Sequence, residues 1–172
     1  MVNKHACVPQ KEDFIIRRMV ESDNPDIARF IRAVIDEYSG PQKDSVYDDP
    51  STDSLYQSFK KQKAEYWVID YKGKAVGGCG YYPTEGLPRG CAEIVKFYIM
   101  PIARGCGLGG QLMDIIIEQA RDAGYSQLYI ETIALFSTAV EMYKKRGFEL
   151  LDHKMGNTGH SSMEIFMIKT LV

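Results

Sequence analysis

Arg104-Gly105-Cys106-Gly107-Leu108-Gly109-Gly110 is the stretch that decides how the rest of the chain is read. It lies between an apolar, β-branched run, Cys91–Met100, which Pro101 stops, and an amphipathic one, Gly107–Ala123. The first reads as a strand. The second reads as a helix with Leu108, Leu112, Ile115, Ile116 and Gln119 on one face and Gly124 as its C-terminal stop. A glycine-rich bend feeding a helix leaves backbone N–H groups unpaired at the positive end of the helix dipole, an arrangement that holds an anion, typically a phosphate. Glycine is needed there because a Cβ would bar close approach and because some φ values must be positive. A tight turn without a ligand is the plainer reading, but four glycines in the six positions 105–110, next to an arginine, exceed what such a turn needs.

Outward from the bend, the pattern alternates between strand and helix. Residues 1–13 read as a flexible leader and 14–172 as one domain. Phe14–Met19 is a short strand, and Asn24-Pro25 caps a helix with Ile27, Phe30, Ile31, Val34 and Ile35 on one face, ending near Ser39-Gly40-Pro41. Gln42–Asp49 is a polar loop, after which Ser51 or Thr52 caps a short helix carrying Leu55 and Phe59. Tyr66–Asp70 and Lys74–Tyr82 form a hairpin about Tyr71-Lys72-Gly73. Leu128–Ile130 is a strand, Thr138-x-x-Glu141 a capping box opening a helix to Gly147, and Phe148–Leu151 and Met163–Ile168 are the last strands. The order β-α-α-β-β-β-α-β-α-β-β predicts an α/β (α+β) fold: one mixed, mostly antiparallel sheet flanked by helices.

Composition narrows the function. The 172 residues are 45% hydrophobic and 26% charged, within the range of ordinary globular proteins. Lys plus Arg number 21 against 23 Asp plus Glu, a net charge of −2, so there is no bulk attraction for a nucleic-acid backbone. The longest apolar run is a few residues (Ile115, Ile116, Ile117), far short of a bilayer span, and Met1–Asp13 lacks the apolar core of a secretory signal. Cys7, Cys79, Cys91 and Cys106 are irregularly spaced without a CxxC pair; they read as reduced thiols of a cytoplasmic protein, neither disulfides nor a metal site.

The bend is not a Walker A loop, since no Gly-Lys-Ser/Thr follows. A dinucleotide fingerprint is the rival: Gly105-x-Gly107-x-x-Gly110 fits GxGxxG, and Glu131 stands where a ribose-binding acid would. Against it, Pro101-Ile102-Ala103-Arg104 separate the strand from the first glycine, and too little chain follows Glu131 for a second βαβ half. The alternative is Arg-x-x-Gly-x-Gly, Arg104 to Gly109, preceded by Tyr98-Ile99-x-Pro101, with a later Ala139-x-x-x-Tyr143-x-x-x-Gly147-Phe148. On these two motifs the chain resembles the GCN5-related N-acetyltransferase (GNAT) superfamily, from about Phe14 to the C-terminus and most sharply from Cys91 to Phe148.

The resemblance implies acetyl-CoA as cosubstrate, with no metal. Its diphosphate would sit on Arg104, Gly105, Cys106, Gly107, Leu108, Gly109 and Gly110, and its pantetheine arm would pair with the strand through Phe97, Tyr98 and Ile99. Acetyl transfer to an amine requires a deprotonated nucleophile, a donor for the oxyanion and a proton for the leaving thiolate. Family precedent makes Tyr143 the acid, and the strand N–H of Phe97 or Ile99 the oxyanion donor. Glu93, on the face that strict alternation would share with Cys91, Val95 and Phe97, is the candidate base or water-positioning carboxylate. His160 is a candidate relay, or a turn cap. The family's usual Asn at the start of the late helix is replaced by Phe136, whose ring offers no amide hydrogen bonds, so that contact would either pass to Ser137 or Thr138 or be missing.

Between the first helices, Glu37, Tyr38, Asp44, Tyr47, Asp48, Asp49 and Asp53 form an acidic, aromatic stretch that suits a cationic primary amine on a small molecule or peptide, or else is simply a solvated loop. The expectation is an N-acetyltransferase that joins acetyl-CoA and amine in a ternary complex. The alternative is an acyl-CoA-binding sensor without catalysis. Homodimers are frequent in the family, though no segment here specifies one.

Overall fold

Short apolar, β-branched and aromatic runs pair into one seven-stranded sheet in the order β1-β2-β3-β4-β5-β7-β6, its central strands covered on both faces. The structure, a computed structural model, describes residues 9–38, 49–159 and 163–171. Its elements are β1 (Phe14–Arg18), α1 (Asn24–Tyr38), α2 (Leu55–Ser58), β2 (Glu65–Tyr71), β3 (Lys74–Tyr82), β4 (Cys91–Ile99), α3 (Leu108–Asp122), β5 (Gln127–Thr132), α4 (Ser137–Lys145), β6 (Glu149–Leu151) and β7 (Ile165–Thr170). That is the predicted order. Only β4 and β5 run parallel; the other neighbours are antiparallel. The β2–β3 hairpin turns through Lys72 and Gly73, both at positive φ (52° and 81°), which matches the right-handed twist of the strands.

Two apolar layers cover the sheet. On one face α3 and α4 bury Leu108, Leu112, Met113, Ile116, Val140 and Tyr143 against Ile69, Val76, Ala92, Ile94 and Ile130. On the other, α1 and α2 bury Ile27, Phe30, Ile31 and Leu55 against Tyr66, Val68 and Ala75. The ring of Tyr66 lies so close over β3 that a Cβ at Gly78 would stand 2.5 Å from it and one at Gly80 2.7 Å from it.

Five local expectations are corrected. Neither Ser51 nor Thr52 caps the short helix: α2 follows a 3-10 turn, Pro50–Ser54, which Asp49 caps by accepting the Ser51 N–H (2.9 Å), and the N-cap of α2 itself is Ser54. Asn24 is itself helical, and its amide serves α2 by accepting the Tyr56 N–H (2.9 Å). Thr138 opens no capping box: α4 begins at Ser137 behind Phe136, and Glu141 pairs with Lys144. The final strand starts at Ile165, two residues later than Met163. Lastly, β4 does not alternate strictly. Gly78 faces Tyr98 and Gly80 faces Val95, so Lys96 and Phe97 together oppose Cys79, with Lys96 at φ 51°. This bulge reverses the parity of the strand. Phe97 and Ile99 pack toward α3, and Tyr98 toward α1. Glu93, two residues before Val95, is therefore on the face opposite Phe97.

Charge ties the first strand to this frame. The Arg17 guanidinium bonds both oxygens of Asp23 (2.7 and 2.8 Å) and Asp70 Oδ2 (2.8 and 3.0 Å). Both carboxylates are buried, and the Asp23 carboxyl, although burial works against it, is held below its ordinary pKa by Arg17 and the Val20 N–H. Replacing Arg17 by Met would strand two buried carboxylates. We expect a loss of about 3–5 kcal/mol in urea unfolding near pH 7. The cost shrinks as pH falls through the folded Asp23 pKa, because the protonated acid no longer needs its partner.

Candidate active site

The parallel pairing of β4 with β5 lasts only from Cys91–Ile94 against Gln127–Ile130. Beyond it the strands part, and a cleft of about 500 Å³ opens between Lys96–Ile99 on one side and Glu131–Ile133 on the other. The bend at Arg104–Gly110 closes one end, and the start of α4 forms a wall. The Met100 N–H donates to Val76 O (2.9 Å), on the β3 edge. Successive N–H groups along a strand point to opposite edges, so those of Ile99 and Phe97 point into the gap. The bulge that sets this phase is held by Tyr66, whose hydroxyl donates to Lys96 O (2.8 Å).

In the bend, Gly105 and Gly107 have φ of 79° and 77°, and Gly107 is the N-cap of α3. The Gln111 N–H reaches Gly107 O (3.1 Å); among the described residues nothing accepts from the N–H groups of Gly105, Cys106, Gly107, Leu108, Gly109 or Gly110. Six unpaired amides at a helix N-terminus that lines the cleft fit the diphosphate of coenzyme A. Side chains contribute less. Leu108 is buried in the core, the Cys106 thiol donates to Arg104 O (3.3 Å), and Gly110 lies beneath the Arg146 guanidinium, itself held by Asp114 (2.7 and 3.1 Å). The Arg104 guanidinium is engaged by both oxygens of Glu37 (2.7 and 2.8 Å) and by Ile99 O (2.7 Å), and it stacks 5.6 Å above the Tyr38 ring. Arg104 thus fastens the bend to the ends of α1 and β4.

Tyr143 lines the cleft from α4, its ring buried and braced by Phe97 and Phe148 (centroids 6.0 and 5.8 Å). Its hydroxyl has no hydrogen-bond partner among the described residues, and burial raises its pKa well above the ordinary tyrosine value. Ser137 and Thr138 also line the cleft. Phe136 bridges it, with its ring 4.9 Å from Tyr38 and 6.4 Å from Tyr98. Glu93 does not line the cleft. It is buried on the α1-side face, accepts a hydrogen bond from the Thr84 hydroxyl, and burial pushes its pKa up to about 7. His160, Asp44, Tyr47 and Asp48 lie outside the described residues.

Two polar cleft residues were missed as site candidates. Lys96 is a half-buried cation bonded to Asp49 Oδ2 (3.2 Å) and Thr52 Oγ1 (3.3 Å), and desolvation lowers its pKa. Glu131, read from sequence only as a ribose ligand, is a buried carboxylate on the β5 wall. A charge at the centre of Val95-Lys96-Phe97, and another in Ile130-Glu131-Thr132, was the available signal. The acidic stretch also reads differently here. Glu37 is paired with Arg104, Asp53 with Arg32 and Asp49 with Lys96, so the described carboxylates are already neutralised. The dinucleotide reading is overturned by topology, because a single parallel strand pair cannot build two βαβ halves.

Among the described residues no helix is long and apolar enough to cross a membrane, and no cluster of three or more metal-ligating side chains occurs. Residues 28–148 match the model of the acetyltransferase (GNAT) family. The chain is 40% identical over 159 residues to the Uncharacterized N-acetyltransferase YjgM of Escherichia coli, spanning 91% of this chain and 95% of that one. It is 33% identical over 117 residues to the IAA acetyltransferase of Azospirillum brasilense, spanning 67% and 73%. A GNAT-family acetyltransferase from Staphylococcus aureus superposes with a TM-score of 0.81 at 17% identity, over 92% of this chain and 99% of that one. A phosphinothricin acetyltransferase from Sinorhizobium meliloti, solved in complex with acetyl-CoA, does so with 0.73 at 20% identity, over 92% and 89%. With the splayed strands and the amide-lined bend, these matches establish that the chain belongs to the GNAT family of acetyltransferases, enzymes that draw the acetyl group from acetyl-CoA.

Proposed function

We propose that this protein acetylates a primary amine of a small molecule or peptide by direct attack while both substrates are bound. The observation that carries the reading is one cleft whose bend carries amides, and whose wall carries a tyrosine hydroxyl, without partners among the described residues. Acetyl-CoA supplies the activated acyl group. The bend would hold its diphosphate, and the N–H of Phe97 or Ile99 would bond the carbonyl oxygen as it gains charge. Tyr143 would hand its proton to the departing sulfur. Glu93, which stands behind the cleft wall, would take the amine's proton through a relay. Glu37, Asp49 and Asp53 of the acidic stretch are each paired with a basic side chain, so those three lend no support to a cationic acceptor. No nucleic acid or membrane is invoked. The free thiols of Cys79, Cys91 and Cys106 support a cytoplasmic setting, and homodimerisation stays a family-based expectation.

The test is thiol release from acetyl-CoA against spermidine, kanamycin, L-methionine and an alanine-initiated peptide. Turnover with an amine supports the reading; coenzyme A binding without turnover across the panel would instead favour a sensor. Glu93 adds a pH signature. Only the ionised carboxylate accepts a proton, so kcat/KM should climb as pH rises through about 7. Glu93→Gln should cost about 100-fold and flatten that acidic limb.

A further inference from the structure

The carboxylate of Glu131 is almost wholly enclosed, its side chain only 2% exposed, although it borders the cleft. Burying a charge is costly unless its oxygens are satisfied, and the identity of the satisfying groups shows what the burial achieves. Oε1 accepts the Tyr129 hydroxyl (2.9 Å), whose oxygen in turn accepts the Met155 N–H (3.0 Å). Oε2 accepts the Thr158 hydroxyl (2.8 Å) and lies 3.6 Å from the Lys154 ammonium. Each of these links leads to one segment, the connection from β6 to β7. The same segment is clamped on its outer side, where the Asn157 N–H donates to Glu85 O (2.8 Å) in the β3–β4 turn. Met163, where the described chain resumes before β7, lines the cleft.

We propose that Glu131 is a positioning residue for the acceptor, fixing the β6–β7 connection against the end of the cleft opposite the diphosphate bend. The inference rests on the amine-acetylation reading for its kinetic consequence and on the hydrogen bonds alone for its structural one. A neutral side chain could pin the loop equally well; a carboxylate also acts on Glu93. The groups around Glu93 are Cys91 and Lys96 on β4, Thr84 in the β3–β4 turn, Tyr129 and Glu131 on β5, and Lys154 in the connection. Of these, Glu131 is the negative charge that opposes ionisation of Glu93.

Two variants separate the roles. Thr158→Val removes one pin and leaves the carboxylate in place. The Met155 and Asn157 amides should exchange with deuterium about tenfold faster or more. The KM of whichever panel amine turns over should rise by about tenfold, with the KM for acetyl-CoA unchanged. Glu131→Gln removes the charge, and the acidic limb of kcat/KM should move to lower pH, which a merely structural role would not produce. Unchanged exchange in Thr158→Val overturns the pinning, and this readout stands even if no amine is acetylated or Glu131→Gln fails to fold. Faster exchange with an unchanged amine KM overturns the link to the acceptor. An unmoved acidic limb in folded Glu131→Gln overturns the electrostatic part. Absence of turnover in the parent protein, with loop exchange behaving as expected, would sink the amine reading and leave the loop assignment intact.

Discussion

Tyr143→Phe should lower kcat for acetyl transfer by about 100- to 1,000-fold while leaving the KM for acetyl-CoA within about twofold. The substitution removes one oxygen. The ring that packs on Phe97 and Phe148 is retained, and no protein hydrogen bond is broken among the described residues, so the fold has little reason to respond. What disappears is the donor. A coenzyme A thiolate leaves with a pKa near ~8.5, so at neutral pH its expulsion is helped by a proton delivered as the bond breaks. Burial raises the pKa of Tyr143, which keeps its hydroxyl protonated across the working range and so available for the donor role proposed for it. The enclosed setting also strengthens its dipole at the sulfur relative to water. If Tyr143 serves only to pack the α4 face, the phenylalanine variant will turn over at the parent rate. A fall in acetyl-CoA affinity with unchanged kcat would mark a binding role. The measurement is steady-state kinetics of both substrates, with thermal melting as the control for folding.

The elements were legible because each carries its own period. The 3.6-residue stripe of α1, the turn signal at Tyr71-Lys72-Gly73 and the glycines around α3 need no tertiary information, and the family motifs align with β4, α3 and α4. What could not be read is what depends on partners distant in sequence. The β4 bulge leaves no local mark in Val95-Lys96-Phe97; it exists because Tyr66, thirty residues earlier, bonds the Lys96 carbonyl across glycines that let its ring lie flat. Without that bond, strict alternation puts Glu93 and Phe97 on one face, and the structure separates them. The Thr138 capping box failed for a related reason: the chain enters α4 through a turn at Ala134–Phe136, so the helix starts one residue before the motif. Three carboxylates of the acidic stretch read differently once their partners are known, because charge in a sequence is counted before it is paired. Arg32, Lys96 and Arg104 come from three separate elements to neutralise Asp53, Asp49 and Glu37. Glu131 was visible as a residue, but the role proposed for it depends on a loop that returns much later in the chain, with Thr158 27 residues on.

Gly107→Val should abolish measurable coenzyme A binding, with a loss of at least about 100-fold, or about 2.7 kcal/mol, in a calorimetric titration. Two effects act in the same direction. At φ 77° a β-branched residue is strongly disfavoured, so the bend would rotate its amides away from their common focus. The added side chain would also stand in open space, with no protein atom within 4 Å of its Cβ, on the cleft side where the diphosphate must approach. Strain alone could also weaken binding indirectly, by loosening α3. Gly73→Val isolates that term: Gly73 has φ 81°, its Cβ likewise meets nothing within 4 Å, and it lies in the β2–β3 hairpin turn outside the cleft. The two variants should lose comparable stability, and only Gly107→Val should lose the ligand. Equal binding losses would mean that general destabilisation, and not the amide cradle, governs affinity. Retained binding in Gly107→Val would mean that the diphosphate sits elsewhere, and the positions assigned to Tyr143 and the β4 amides relative to the thioester would fall with it.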